Sequence, residues 1–170
     1  DADGKVLGNP TPKFYGGFNT SLSTYGFDFS AAFAYQIGGY TMDSNYQNLM
    51  GAGRIGTNWH KDAFNRWTPD NTTSEVPRLQ NAYQEASSTS TRWLTDASYI
   101  SLRNLTVGYT FPKRIANRLS MQSLRIFATG DNLWYLSRRK GLDVRQSFSG
   151  ATGFTYSALR TVSGGITVTF

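Results

Sequence analysis

The sequence has no cysteine, which excludes disulfide bonds, thiol catalysis and cysteine-based metal sites. It has a single histidine, His60, so a metal centre or a Ser-His-Asp arrangement would have to be built on that residue with partners such as Asp62. Nothing in the spacing of the chain supports either arrangement, and we expect His60 to be a solvated surface residue. The sequence therefore predicts no catalytic residue, no metal site and no cofactor.

Charge is also scarce, at 16% of the 170 residues, and no apolar run is long enough for a transmembrane helix. That absence excludes only helical spanning, because a strand of alternating residues never forms a hydrophobic block. The net charge of +6 falls mostly in predicted loops and turns, which indicates a solvated rim and no nucleic-acid surface. What the chain does have is 15% aromatic residues and 17 glycines, a composition typical of short strands joined by many turns.

Five segments alternate with a period of two residues, which predicts β-strands. In the clearest one, the odd-numbered residues from Phe27 to Ile37 are mostly large and apolar, and the even-numbered residues between them are polar or small. In the fourth segment both faces carry an apolar residue, so its facing stays open. The predicted strands cover residues 13–23, 27–37, 93–111, 124–134 and 158–170.

The connections between these strands alternate between short and long. Short segments join the first strand to the second and the third to the fourth, whereas residues 38–92 and 135–157 form long loops. A soluble sandwich also buries one face of each strand, but outer-membrane barrels combine short periplasmic turns with long extracellular loops. The rhythm favours an all-β, membrane-spanning antiparallel barrel with both long loops outside. The alternative is a soluble β-sandwich that binds carbohydrate.

Aromatic residues cluster near both ends of the predicted strands, as the two aromatic belts of a membrane barrel do. Five strands cannot close a barrel, and an open edge in hydrocarbon would leave backbone groups without partners. We therefore expect the chain to be part of a larger barrel. The outer belt would contain Phe14, Tyr15, Tyr35, Trp93, Trp134 and Tyr135, and the inner belt Tyr25, Phe27, Tyr109, Phe111 and Phe170.

The final segment carries a separate indication of membrane assembly. A polar residue, a glycine two positions on, and hydrophobic residues at the closing alternate positions resemble the signal that barrel-insertion machinery reads. In physical terms, it is an edge strand with which an insertase pairs before the barrel closes. The predicted assembly signal consists of Ser163, Gly165, Val168 and Phe170.

Short motifs follow one another along nearly the whole chain in a characteristic order: GNPTPKFYGGF (8–18), RWTPDN (66–71), STRWL (90–94), LRNLTVGY (102–109), GDNL (130–133) and GLD (141–143). In this order they resemble the C-terminal barrel portion of the SusC/RagA family of TonB-dependent outer-membrane transporters. The resemblance implies a barrel of about 22 strands with an N-terminal plug, of which this chain would supply the last five strands.

The same resemblance implies a function and partners. Such transporters are not enzymes; they import oligosaccharides or oligopeptides across the outer membrane of Gram-negative bacteria. The implied partners are the plug and preceding strands, a SusD-like surface lipoprotein that acts as a lid, the TonB complex, outer-membrane lipid and the substrate. No nucleic-acid partner is implied.

The long loops hold the candidate contact residues. In the first, Asn58 would cap a helix on which Trp59, Ala63 and Trp67 recur, either packing the loop or forming an aromatic platform for a substrate. Tyr46 in the same loop has the same two interpretations. The second loop places Arg138 and Arg139 beside Trp134 and Tyr135, which favours a hydrated loop but leaves open an acidic substrate or anionic lipopolysaccharide.

Overall fold

The computed structural model describes residues 6–51, 56–79, 88–139, 141–146, 151–152 and 156–170. Five long strands form one antiparallel sheet in the order β1-β2-β5-β6-β8, and β4-β3-β7 form a small second sheet. Within these ranges, no helix is long and apolar enough to cross a membrane. The elements are β1 (Phe14–Thr24), β2 (Phe27–Ile37), β3 (Tyr40–Asp43), α1 (Ser44–Met50), β4 (Leu94–Asp96), β5 (Tyr99–Thr110), α2 (Lys113–Arg118), β6 (Ser123–Ser137), β7 (Ala151–Thr152) and β8 (Thr161–Thr169), with 3-10 turns at Lys61–Asn65, Thr91–Trp93 and Val144–Gln146.

The hairpin of β1 and β2 follows directly from its turn residues. Tyr25 and Gly26 have φ angles of 48° and 86°, the positive values that a two-residue turn of type I′ requires. This turn sets the register in which Phe14 pairs with Ile37. β2 covers the range that the alternation predicts, and β1 begins one residue later than predicted. We call this end of the sheet the short-turn end, and the opposite end the long-loop end.

The register places the apolar residues of all five long strands on one face. Val107 of β5 pairs with Phe29 of β2 and with Ala128 of β6, and Ala128 pairs with Gly164 of β8. This apolar face is exposed along its whole width, and such a surface requires a non-aqueous neighbour or a partner. Its exposed members are Phe14, Phe18, Leu22, Phe27, Phe29, Ile37, Val107, Ile126, Trp134, Leu136, Val162 and Ile166.

The opposite face of the sheet is polar and is linked across strands. Arg125 of β6 donates through Nε to Oδ1 of Asp28 on β2 at 3.0 Å, across the intervening strand β5. The residue beneath this ion pair is Gly108, where a Cβ atom would lie 2.5 Å from both partners. The register also determines which way the side chains of β6 face: Arg125 belongs to the polar face of the sheet and Ile126 to the apolar face.

The prediction that residues 93–111 form one strand is wrong. The chain makes a 3-10 turn, then β4, and breaks before β5 because Asp96 accepts the backbone N–H of Ser98 at 2.8 Å. Trp93 was predicted for the outer aromatic belt, but it is only 1% exposed and donates its indole N–H to the carbonyl of Ser88 at 2.9 Å. It belongs to the packing of the long connection and not to the surface.

A bulge interrupts the β5–β6 ladder at the GDNL motif. Asn104 pairs with Asp131, but the next pair is Leu102 with Trp134, so β6 holds an extra residue there. Asn132 takes the left-handed conformation at φ 52°, which Asn tolerates better than most residues. The motif is thus a structural device that redirects the long-loop end of β6.

Aromatic rings do gather at the short-turn end. Phe27 and Tyr109 have ring centroids 4.5 Å apart across β2 and β5, and the ring of Phe111 lies 5.1 Å from that of Tyr109. Tyr109 lies in β5 and Phe111 directly follows that strand, so only the pairing of β2 with β5 brings Phe27 to them. They form a compact aromatic group at the edge of the apolar face.

Candidate functional site in the long connections

The first long connection, residues 38–98 between β2 and β5, has a small core of its own. Met50 at the end of α1, Ala63 in the 3-10 turn and Trp93 are all nearly inaccessible to solvent and pack together. α1 begins where Asp43 accepts the backbone N–H of Tyr46 at 3.0 Å, as an N-cap residue does. The connection is therefore an ordered unit in its described parts.

Tyr46 and Arg139, both predicted as substrate or lid contacts, join the two long connections to each other. The hydroxyl of Tyr46 donates to Asp62 at 2.9 Å, and the guanidinium of Arg139 lies 4.1 Å from the centroid of the Tyr46 ring. Arg139 also donates through Nε to Asp43 at 3.0 Å. Burial, reinforced by the Asp62 carboxylate, raises the pKa of Tyr46, so its hydroxyl stays protonated and keeps donating.

We expect Tyr46→Phe to loosen this junction without dissolving it. The change removes the hydrogen bond to Asp62, a loss of about 1.5–3 kcal/mol for a bond to a charged group, and keeps the ring beneath Arg139. Hydrogen exchange in the full-length protein should show faster opening of α1 amides in Tyr46→Phe. Tyr25→Phe, at an exposed turn tyrosine, is the matched control and should leave α1 unchanged. Unaltered exchange in Tyr46→Phe would show that the hydroxyl contributes nothing to the junction.

The predicted helix capped by Asn58 is absent. Residues Lys61–Asn65 form a 3-10 turn, and the cap is His60, whose Nδ1 accepts the N–H of Asp62 at 3.2 Å. A 3-10 turn advances about 120° per residue and ends after one or two turns, so residues four apart do not share a face. Of the predicted stripe only Ala63 is buried, while Trp59 and Trp67 remain exposed.

The expectation that His60 is a solvated surface residue is also wrong. Its ring packs edge-on against Tyr46 with centroids 4.8 Å apart, and its side chain is only 30% exposed. Among the described residues, no group of three histidine, aspartate or glutamate side chains converges as metal ligands would. His60 therefore has a structural task, as the cap of a turn.

The second long connection, residues 138–160 between β6 and β8, is organised around Tyr135. The hydroxyl of Tyr135 donates to the carbonyl of Leu142 at 3.2 Å and accepts the N–H of Val144 at 3.0 Å. Leu142, Val144 and Ala97 form a second buried cluster beside it. Tyr135 was predicted as a contact residue for substrate or lid, and the structure places it in the support of this connection.

The GLD motif contributes a buried ion pair to the same cluster. Arg145 donates to both carboxylate oxygens of Asp143, at 2.8 and 2.6 Å, and both side chains are less than a tenth exposed. Burial opposes ionisation of Asp143, but hydrogen bonds from Arg145 and from backbone N–H groups outweigh it and hold the pKa of Asp143 below its ordinary value. A loop position predicts that Arg145, like most basic residues of the chain, lies on a solvated rim, and this prediction is wrong.

The four candidates that remain accessible do not lie together. Trp59 is 44% exposed and faces a groove, Trp134 lies on the apolar face, and Arg138 is 80% exposed with Asp96 at 3.9 Å. Trp67 is exposed outside that groove. The seven predicted contact residues therefore do not form one site.

A groove lies beside Trp59 in the first connection. Its volume is about 310 Å³, and we call it the aromatic groove. Phe64, which sequence reasoning did not select, is 86% exposed and lines the groove together with Leu79. The signal available in the sequence was an aromatic residue two positions before the RWTPDN motif. Its lining is completed by Thr57, Asn58, His60, Ala63 and Arg66.

The predicted assembly signal lies on β8, which pairs with β6. Val168 pairs with Leu124 on the apolar face, and Ser163 pairs with Thr129 on the polar face. Gly165 lies under the ring of Phe127, where a Cβ atom would come within 2.6 Å of it. Phe170, just beyond the strand, is 79% exposed. The role of these residues in assembly stays a prediction.

Fold and connections together define the wall of a membrane β-barrel, with one apolar face, one polar face and long loops at one end. No family model matches the chain. TonB-dependent receptor P3 of Formosa agariphila is 35% identical over 147 residues, which is 86% of this chain and 14% of the receptor. TonB-dependent receptor P26 of the same organism is 28% identical over 99% of this chain and 18% of the receptor.

Solved structures of an importer are also similar to this chain. The RagAB peptide importer in its "closed-closed" state matches 98% of this chain with a TM-score of 0.79 and 25% identity, and the "open-open" state with 0.79 and 26%. This chain spans 18% of either matched chain. It is a barrel segment of a SusC/RagA-type TonB-dependent transporter.

Proposed function

We propose that this chain forms part of the wall and outer loops of a SusC-like importer in the outer membrane of a Gram-negative bacterium. The observation that carries the proposal is the exposed apolar face of the five-stranded sheet, backed by a polar face. A soluble carbohydrate-binding sandwich, the alternative function, would cover such a face with a second sheet. Lipid does so without any protein partner.

Both long connections would lie outside the cell, beneath a SusD-like lipoprotein. Short turns at one end and long connections at the other support this orientation, because outer-membrane barrels keep their long loops outside. Energy would come from the TonB complex through parts of the transporter that precede this segment. The relatives are receptors and importers, which supports transport and not catalysis.

The imported molecule would be an oligosaccharide or an oligopeptide, and the aromatic groove would be one of its contacts. Exposed Trp59 and Phe64 offer flat apolar surfaces that suit either a sugar ring or an apolar side chain. Arg66 on the same lining adds a cation that suits a carboxylate. The peptide importers among the matched structures support the oligopeptide.

We expect Trp59→Ala and Phe64→Ala to weaken substrate binding about tenfold each, a loss of about 1.4 kcal/mol. The full-length transporter, purified with its lipoprotein, would be titrated with oligopeptide and oligosaccharide mixtures, and the bound fraction identified by mass spectrometry. Trp67→Ala is the matched control, since Trp67 is exposed in the same connection but outside the groove. Equal binding by all three variants and the wild type would remove the groove from the substrate path.

The proposed partnership with a SusD-like lipoprotein is tested by copurification. Detergent extraction followed by affinity purification should yield a surface lipoprotein together with the complete transporter. A monomeric product of these 170 residues that folds and melts cooperatively in water would contradict the barrel assignment.

A further inference from the structure

A second groove opens on the apolar face at its long-loop end. Its floor is a row of three paired residues: Tyr35 of β2 pairs with Ile100 of β5, which pairs with Leu136 of β6. Ile37 extends the floor, and it and Leu136 are more than half exposed. We call this the rim groove; its volume is about 590 Å³.

The upper edge of the rim groove is polar and well fixed. Ser98 donates its hydroxyl to Oδ1 of Asp96 at 2.6 Å and accepts the N–H of Gly38 at 2.8 Å. Asp96 is thus committed to Ser98 through Oδ1, and only its Oδ2 faces Arg138, at 3.9 Å. That distance is too long for a hydrogen bond, so the 80%-exposed guanidinium keeps donors available at the edge of the groove.

Arg138 and Arg139 diverge at this point of the chain. Arg139 turns towards the first long connection, where it contacts Asp43 and Tyr46. Arg138 instead lines the rim groove together with Leu136, on the side of the sheet that carries the apolar face. A ligand at Arg138 therefore approaches from the membrane side and not from the polar face.

We propose that the rim groove binds a phosphate-bearing acyl lipid of the surrounding leaflet. One acyl chain would cross Tyr35, Ile100 and Leu136, and the phosphate would accept hydrogen bonds from Arg138. Arginine suits this task because its planar fork of donors matches a phosphate. The apolar floor is continuous with the bilayer-facing surface. This assignment rests on the proposed orientation of the barrel, with its long connections outside.

The test uses the full-length transporter with its lipoprotein, reconstituted in nanodiscs and released for native mass spectrometry. We expect Arg138→Gln to lower retention of phosphatidylglycerol about fivefold, the effect of one basic residue at a membrane surface, and to leave diacylglycerol unchanged. Arg114→Gln, at an exposed arginine of α2 at the short-turn end, is the matched control. Leu136→Ser should lower retention of both lipids, whereas Leu22→Ser, exposed on the same face at the short-turn end, should not.

Unchanged phosphatidylglycerol retention in Arg138→Gln would overturn the proposal. So would inorganic phosphate that displaces the lipid completely, since the site would then hold a free anion. Import by the same nanodisc-tested variants, measured in cells, separates the two proposals. If a variant loses lipid retention but still imports, the proposed transport function is unaffected. If the wild type retains lipid but does not import, the transport function alone is contradicted.

Discussion

Gly108→Val is expected to reduce the yield of folded transporter. A Cβ atom at Gly108 would lie 2.5 Å from Arg125 Nη2 and from Asp28 Oδ1, so the ion pair that crosses β5 would have to separate. Both clashing groups are the ends of side chains, and they can rotate away only by giving up the hydrogen bonds between Arg125 and Asp28. Overpacking of a closely packed site costs about 1–3 kcal/mol, and valine adds two further methyl groups.

The measurement is the fraction of full-length protein that reaches the heat-resistant, folded form in the outer membrane. Gly164→Ala is the matched control, because a Cβ atom there would meet only the carbonyl oxygen of Phe127 at an ordinary 3.6 Å. We expect the control to fold like the wild type. A Gly108→Val protein that folds equally well would mean that the Asp28–Arg125 pair is dispensable. Gly108→Ala should give an intermediate yield.

Arg145→Met is expected to release the second long connection while leaving the sheet intact. Methionine keeps an apolar stem over Tyr135, whose ring lies 4.8 Å from the guanidinium, but it leaves the Asp143 carboxylate buried without its counterion. Removing one partner of a buried pair costs about 3–5 kcal/mol. Two backbone donors to Asp143, from Arg145 and Ala158, offset part of that cost, so we expect about 3 kcal/mol.

Hydrogen exchange at Val144 reports this change, since its N–H is held by the Tyr135 hydroxyl. A loss of about 3 kcal/mol corresponds to roughly a hundredfold faster exchange when opening is local. Adding Asp143→Asn to Arg145→Met removes the orphaned charge and should restore part of the protection. Protection that stays at the wild-type level in the single variant would show that the connection is held by Leu142 and Val144 alone.

The same pair defines a pH dependence. Because the folded pKa of Asp143 lies below its ordinary value of about 3.9, the pair stabilises the connection fully above that value. The contribution is lost only as pH falls through the lower, folded pKa. Exchange at Val144, corrected for its intrinsic pH dependence, should therefore be constant from neutral pH to about 5 and accelerate in stronger acid.

Local pattern was sufficient for β1 and β2 to within one residue, but it merged a 3-10 turn, β4 and β5 into one predicted strand. The order of the motifs was sufficient for the class of protein. A period of two residues in β2, a turn at Tyr25-Gly26 and the order of the motifs depend only on residues near one another in the chain. The long-short rhythm of connections is likewise visible without coordinates. These features are dictated by backbone geometry and by alternation between two faces, which neighbouring residues determine.

Patterns of four-residue spacing misled in the first long connection. Trp59, Ala63 and Trp67 suggested a helix, but the chain turns only once and leaves the helical conformation at Arg66. The competing interaction is non-local: Trp67 donates its N–H to the carbonyl of Val76, which lies in the returning chain. A short helix has few hydrogen bonds of its own, so tertiary contacts decide its length.

The sequence by itself determined the alternating strands, and its rhythm of short and long connections together with the order of its motifs indicated a barrel wall, because all of these features are visible along the chain without coordinates. The tertiary structure alone decided which face of β6 meets the bilayer. Both faces of this strand carry apolar residues, and only its register with β5 and β8 assigns each residue to the apolar or the polar face of the sheet. It also decided the tasks of charged and aromatic residues far apart in sequence. Tyr46 meets Arg139 and Asp28 meets Arg125 because the register of paired strands, a long-range property, brings them together.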